Sequence, residues 1–257
     1  MKGAKILFKQ LCVHRVVNHF LYWSLPNISL GVLKESEMAY FNDRVDAGKQ
    51  LAKALMDFKG KNAIVLAIPR GGAVVGYQIA KELDLLLDVI VPHKIGAPEN
   101  PELAIGAVAE DGTIIVDKSL VAYIGVPDWF IEEESERQRT EIQRRLKVYR
   151  PTESSPNVKG LDVILVDDGI ATGSTMKAAL ASVKNQGAKT VTVAVPVAPP
   201  STIKELEKQA DKVVCLYTPD YFQAIGQFYT DFNQTSDEEV IALLRQSKQK
   251  PEGMVTK

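Results

Sequence analysis

Residues Val163 to Thr175 read Val-Ile-Leu-Val-Asp-Asp-Gly-Ile-Ala-Thr-Gly-Ser-Thr, and this segment restricts the fold more than any other part of the chain. An unbroken apolar run, Val163 to Val166, is the pattern of a strand buried on both faces, as in parallel sheets. Two carboxylates end the strand, a Gly/Thr/Ser loop follows, and Met176-Lys-Ala-Ala-Leu180 continues as a helix. A strand leaving through a short loop into a helix is half of a right-handed crossover. Elsewhere apolar runs at Ala63–Ile68, Leu87–Val91, Thr190–Val195 and Lys212–Leu216 alternate with helical patterns at about 42–58, 73–83, 201–209 and 236–246. That alternation predicts an α/β fold: a mostly parallel twisted sheet flanked by helices. Ala104–Glu110 and Thr113–Asp117 flank Asp111-Gly112, a two-residue turn signal, and predict an inserted hairpin. Glu132–Tyr149 reads as a long charged helix with Glu133–Arg137 and Glu141–Arg145 spaced for pairing. The last helix carries a Ser236 cap with Glu239 at its third position.

The chemistry follows from the same segment. At the start of a helix the first N–H groups have no partner and sit at the positive end of the helix dipole, so Thr172 to Thr175 form an anion cradle. Thr172, Ser174 and Thr175 add hydroxyl donors, and Gly173 allows close backbone approach. A bare phosphate would avoid the adjacent Asp167 and Asp168. Their presence calls for hydroxyls or Mg²⁺ beside the phosphate, as in a sugar phosphate. Both carboxylates end a strand at a crevice and are expected to be dispensable for folding. Neither a Walker loop nor a dinucleotide fingerprint occurs. Pro69-Arg70-Gly71-Gly72 follows the first core strand and is a second anion loop, with Arg70 as a forked cation. Ligands in such sheets lie outside the carboxyl ends of the strands, which groups residues 69–72, His93-Lys94, 167–175 and 196–200 around one crevice.

The 257 residues carry a formal net charge of −1, which removes the electrostatic argument for a nucleic-acid partner. Cys12 and Cys215 are far apart and make no metal spacing, which fits a reduced cytoplasmic setting. Residues 1–37 are basic and apolar, but Lys9, His14, Arg15 and His19 interrupt every window long enough to span a membrane. They read as an extension, loosely docked or disordered, or as sequence upstream of a start at Met38. Residues 38–248 form the domain, and 249–257 a polar tail.

The thirteen-residue segment, Ile68-Pro-Arg-Gly-Gly, Phe41-x-Asp43-Arg44, Gly106-Ala107-Val108 and Asp220-x-Phe222-x-Ala224-x-Gly226 together resemble the type I phosphoribosyltransferases over about residues 41–245. The resemblance implies binding of phosphoribosyl pyrophosphate (PRPP), Mg²⁺ as cofactor and displacement of pyrophosphate by a heterocycle nitrogen. Residues 171–175 would hold the 5′-phosphate. Arg70, Gly71 and Gly72 would hold the pyrophosphate, with a cis peptide at Arg70–Gly71. Lys94 would lie over the leaving group, and Asp167 and Asp168 on the ribose side. Residues 96–103 and the hairpin take the place of a mobile catalytic loop. Phe222 and Tyr221 fall in a small C-terminal hood that would stack on the acceptor base. A homo-oligomer is the expected assembly. Ala171 stands where 6-oxopurine enzymes carry an aspartate, whereas the Ile68 loop is of the xanthine type, so the acceptor stays open. The rival readings are a PRPP-sensing protein without turnover and a hydrolase of phosphorylated ribosides.

Overall fold

A computed structural model describes residues 40–150 and 155–248, so the extension 1–37 and the tail 249–257 lie outside the described residues. Five strands form a parallel sheet: β1 (Ala63–Ala67), β2 (Leu86–Val89), β6 (Asp162–Val166), β7 (Thr190–Val197) and β8 (Lys212–Tyr217), in the order β2-β1-β6-β7-β8. The apolar runs of β1 and β6 are explained by burial of both faces. Val65, Ala67, Ile164 and Val166 pack on one side against α1 (Arg44–Ala54), α2 (Gly71–Leu83) and α7 (Asp237–Lys248). Ile64, Leu66, Val163 and Leu165 pack on the other against α5 (Ser174–Asn185) and α6 (Pro200–Leu206). The two interleaved sets are what the two-residue period of a strand requires.

Numbered within this sheet alone, the strand order is 2-1-3-4-5. The order reverses between β1 and β6, and the crevice at such a switch point is where doubly wound sheets bind ligands. The loops after β1 and β6 are the two anion loops read from the sequence.

The hairpin about Asp111-Gly112 is present, with Gly112 at φ +86°. It is larger than its sequence signal. β3 (His93–Ala97), β4 (Asn100–Val108) and β5 (Ile114–Val116) form a three-stranded antiparallel sheet. β3 lies in what reads as loop, because Pro92 breaks the apolar run and the strand exists through its pairing with β4. Thus Gly96 to Leu103, placed by resemblance in a mobile loop, lies largely in a strand pair. α3 (Lys118–Ile124), capped by Asp117 and ended by Gly125 at φ +70°, buries none of its residues fully, though Leu120 and Val121 pack against the main core, and it is too short to give a periodic signal. α4 (Asp128–Tyr149) begins four residues before its predicted start, directly after Pro127. On it Arg145 pairs with Glu141 as the spacing predicts, but Arg137 pairs with Glu134 rather than Glu133. Ser236 caps α7 by accepting from the Glu239 N–H.

Candidate active site

The loop after β6 is fixed on both sides and open at its tip. The Ile68 N–H donates to the Val166 carbonyl, the Ile170 N–H to Val197, and Thr202 Oγ1 to the Ala171 carbonyl at 2.7 Å. Gly173 caps α5 at φ +80° and offers no side chain to its first N–H groups. Ser174, Thr175 and Met176 therefore present open donors, with Ala171 and Thr172 exposed beside them. The cradle read from residues 171–175 has the geometry of an anion site.

The acidic pair divides into unlike halves. Asp168 is buried, and its Oδ2 accepts from Arg44 Nε at 2.6 Å, with both side chains only 12% exposed. Arg44 Nη1 also donates to the Asn233 carbonyl, and its guanidinium lies 3.8 Å over the Phe232 ring. The Tyr229 hydroxyl donates to the Asp168 carbonyl at 2.5 Å. Asp168 therefore ties Arg44 and the 228–233 segment to the end of β6, a structural link that its position at a strand end did not announce. Among the described residues Asp167 has no cation at hydrogen-bond distance, and its Oδ1 accepts the Asp168 N–H. Burial and the Asp168 charge push its pKa well above the usual carboxylate range.

Arg44 and Tyr229 reach the site because residues 40–42 pair with 228–231. Phe41 bridges Tyr229, and the Thr230 and Asp231 N–H groups donate to the carbonyls of Phe41 and Asn42. Sequence reasoning grouped Arg44 with the family pattern and gave it no role. The signal was present: Arg44 begins α1, where a cation opposes the helix dipole and needs a carboxylate partner.

The loop after β1 meets the pair directly. A Cβ at Gly71 would lie 1.9 Å from Asp168 Oδ2, and one at Gly72 would lie 2.9 Å from the Asp167 Cα. Only glycine lets α2 start this close. The cis peptide is at Pro69–Arg70, one residue before the position the resemblance implies. Arg70 is partly exposed, with Nη1 4.0 Å from Asp237 Oδ1. Lys94 lies on β3, 42% exposed, and donates to Glu102 Oε2 at 2.8 Å. Such an exposed pair is weak and exchangeable.

Phe222 packs on Phe228 at 5.3 Å within a satellite cluster, and Tyr221 is 70% exposed. A groove of about 780 Å³ opens between the small sheet and α4, with Pro69, His93, Lys94, Trp129, Phe130 and Gln138 in its walls.

Comparison with known proteins fits this geometry. A sequence model described as the phosphoribosyl transferase domain matches residues 42–233. The chain belongs to that family. A protein of Mycobacterium tuberculosis named "putative phosphoribosyl transferase", found in two strains, is 42% identical over 207 residues, which is 80% of this chain and 47% of that protein. The chain therefore spans about half the length of the curated relatives it matches. A crystal structure from Thermus thermophilus superposes with a TM-score of 0.70 at 42% identity, covering 80% of this chain and 98% of that one. The fold is that of the type I phosphoribosyltransferases. No helix among the described residues is long and apolar enough to cross a membrane.

Proposed function

We propose that the chain transfers ribose 5-phosphate from PRPP to a nitrogenous heterocycle and releases pyrophosphate. The observation that carries this reading is the pair of anion loops at the adjacent carboxyl ends of β1 and β6, with Asp167 between them. A ligand with anions at both ends and hydroxyls in the middle matches that order of charges.

In this reading the open N–H groups of α5, with the Thr172, Ser174 and Thr175 hydroxyls, hold the 5′-phosphate and fix the ribose. Asp167 accepts from the vicinal ribose hydroxyls. As the C1–O bond breaks, negative charge grows on the pyrophosphate, and Arg70 with the α2 N-terminus faces it. Lys94 joins them by exchanging Glu102 for the leaving group. Asp168, held by Arg44, positions Asp167 and touches no substrate.

Mg²⁺ fits the donor set in one manner. Among the described residues no three His, Cys, Asp or Glu side chains cluster to hold an ion. Asp168 is committed to Arg44, so Asp167 is the remaining carboxylate. Such a site suits an ion that arrives on a pyrophosphate and keeps most of its waters. When bound, Mg²⁺ would neutralise charge developing on the leaving group.

Calorimetry with Mg·PRPP is the direct test, followed by pyrophosphate release with a panel of bases. Asp167→Asn should weaken Mg·PRPP binding about ten-fold or more, which is about 1.4 kcal/mol. Native-like binding by that variant removes the reading. A second reading, PRPP binding without turnover, draws on Ala171, which has no proton-exchanging side chain. Tight PRPP binding with no release for any base selects it.

A further inference from the structure

We propose that Asp237 competes with the leaving pyrophosphate for Arg70, and that the Tyr149 hydroxyl holds Asp237 back so that Arg70 keeps its donors free. The inference rests on the transfer reading above, in which Arg70 faces the pyrophosphate. Asp237 and Tyr149 are positioning residues: they touch no substrate and act through Arg70.

Arg70 is loosely tied. Among the described residues its guanidinium makes no hydrogen bond, and Asp237 is its one ion-pair partner. Nη1 lies 4.0 Å from Asp237 Oδ1, with the two side chains 33% and 32% exposed. That separation is too long for a hydrogen bond but short enough for attraction. All five guanidinium N–H donors therefore stay open to phosphate oxygens. Arg70 and Asp237 also line a cavity of about 310 Å³ at the start of α7, with Thr235 and Ser236, so the guanidinium has room to turn.

What keeps the pair from closing lies on the far side of the carboxylate. Tyr149, the last residue of α4, is 4% exposed and packs in the main core. Its hydroxyl donates to Asp237 Oδ1 at 2.6 Å. The oxygen that faces Arg70 is therefore the one that Tyr149 holds. Burial, and then the Asp237 side chain, raise the Tyr149 pKa above its ordinary value, so the hydroxyl remains a donor. Asp237 opens α7, where unpaired N–H groups favour a carboxylate. Arg144 also acts on Asp237, but its Nε and Nη2 are taken by Glu141 at 2.7 Å.

A fixed carboxylate beside Arg70 lowers the positive charge that an intact donor meets. As the C1–O bond breaks, the leaving group gains negative charge and draws the guanidinium away from Asp237. Interactions that strengthen with that charge raise turnover more than ground-state binding. Against the finished product Asp237 remains a competitor, which favours release.

The probe is inorganic pyrophosphate with Mg²⁺, titrated into the full chain by calorimetry, with phosphorus NMR at millimolar ligand for weak variants. Asp237→Asn keeps an oxygen for the Tyr149 hydroxyl and loses the charge. It should bind Mg-pyrophosphate about five-fold more tightly than the parent. Tyr149→Phe frees Asp237 to close on Arg70 and should bind about five-fold more weakly. In an Arg70→Ala background both effects should shrink below about two-fold, because the group through which they act is gone. A residue that only supported the fold would weaken binding in both variants, with or without Arg70. The proposal is overturned if Asp237→Asn fails to tighten binding, if the two variants move it in the same direction, or if either effect persists without Arg70. Should Tyr149→Phe not fold, Asp237→Asn in the two backgrounds decides alone. Calorimetry of the parent with Mg·PRPP keeps the readings apart. A parent that binds neither PRPP nor pyrophosphate removes the transfer reading and this inference with it. A parent that binds both, with variants that move alike, removes only this one.

Discussion

Asp167→Asn and Asp168→Asn are isosteric changes at neighbouring positions, and the structure requires them to move stability in opposite directions. Asp168→Asn removes the charge facing Arg44 at 2.6 Å, in a pair whose side chains are both 12% exposed. Removing one partner of a fully buried pair costs about 3–5 kcal/mol. Three features reduce that here. An amide oxygen still accepts from Nε. Arg44 keeps the Asn233 carbonyl and the Phe232 ring. Loss of the Asp168 charge also relieves Asp167. A cost of about 2 kcal/mol remains, or a fall of about 4–8 °C in Tm for a domain of this size. Asp167→Asn removes a charge that burial and Asp168 disfavour, while its amide oxygen still accepts the Asp168 N–H. Its Tm should rise at pH 7. Asp167 binds its proton more tightly in the folded chain, so wild-type stability falls as pH rises from the ordinary value of 3.8 through the raised folded pKa. The advantage of Asp167→Asn should therefore be full above that folded pKa and vanish below about pH 4. Scanning calorimetry of the three proteins between pH 4 and 8 measures this. Equal destabilisation by both variants, or an Asp167→Asn gap that does not close on acidification, refutes the division of the pair into anchor and ligand.

Lys94→Ala should lower kcat about a hundred-fold, about 2.7 kcal/mol, while PRPP affinity falls much less, because the charge it meets grows only as the bond breaks. Steady-state pyrophosphate release reads the first quantity and calorimetry the second; equal losses would make Lys94 a docking charge only. Gly71→Ala places a methyl 1.9 Å from Asp168 Oδ2 and should lower Tm as well as abolish PRPP binding, both measured on purified protein. EDTA should weaken PRPP binding in calorimetry yet leave Tm unchanged, since no three-ligand cluster exists among the described residues.

The sequence disclosed what is local. The apolar runs of β1 and β6, the glycines after them and the hydroxyls before α5 are each sufficient to read a strand, a loop and a helix N-terminus. It disclosed less where an element exists only through a distant partner. β3 has too few apolar residues to stand alone and is made by β4. Arg44 and Asp168 are 124 residues apart, and nothing in either neighbourhood names the other. α3 is marked by its two caps, Asp117 and Gly125, and packs through Leu120 and Val121, a face too short to read as a period.

The hydrogen-bonded register between β1 and β6 makes the crevice a gauge. Ala67 pairs with Val166, and the ladder runs one step further, from the Ile68 N–H to the Val166 carbonyl. Adjacent strands stand about 4.8 Å apart, and a slip by one residue would exchange the side chains packed on the two buried faces. The two anion loops are therefore held at one separation by the core itself. A substrate is measured against that separation before any side chain recognises it: a donor longer by one carbon between sugar and phosphate can fill either loop, but not both.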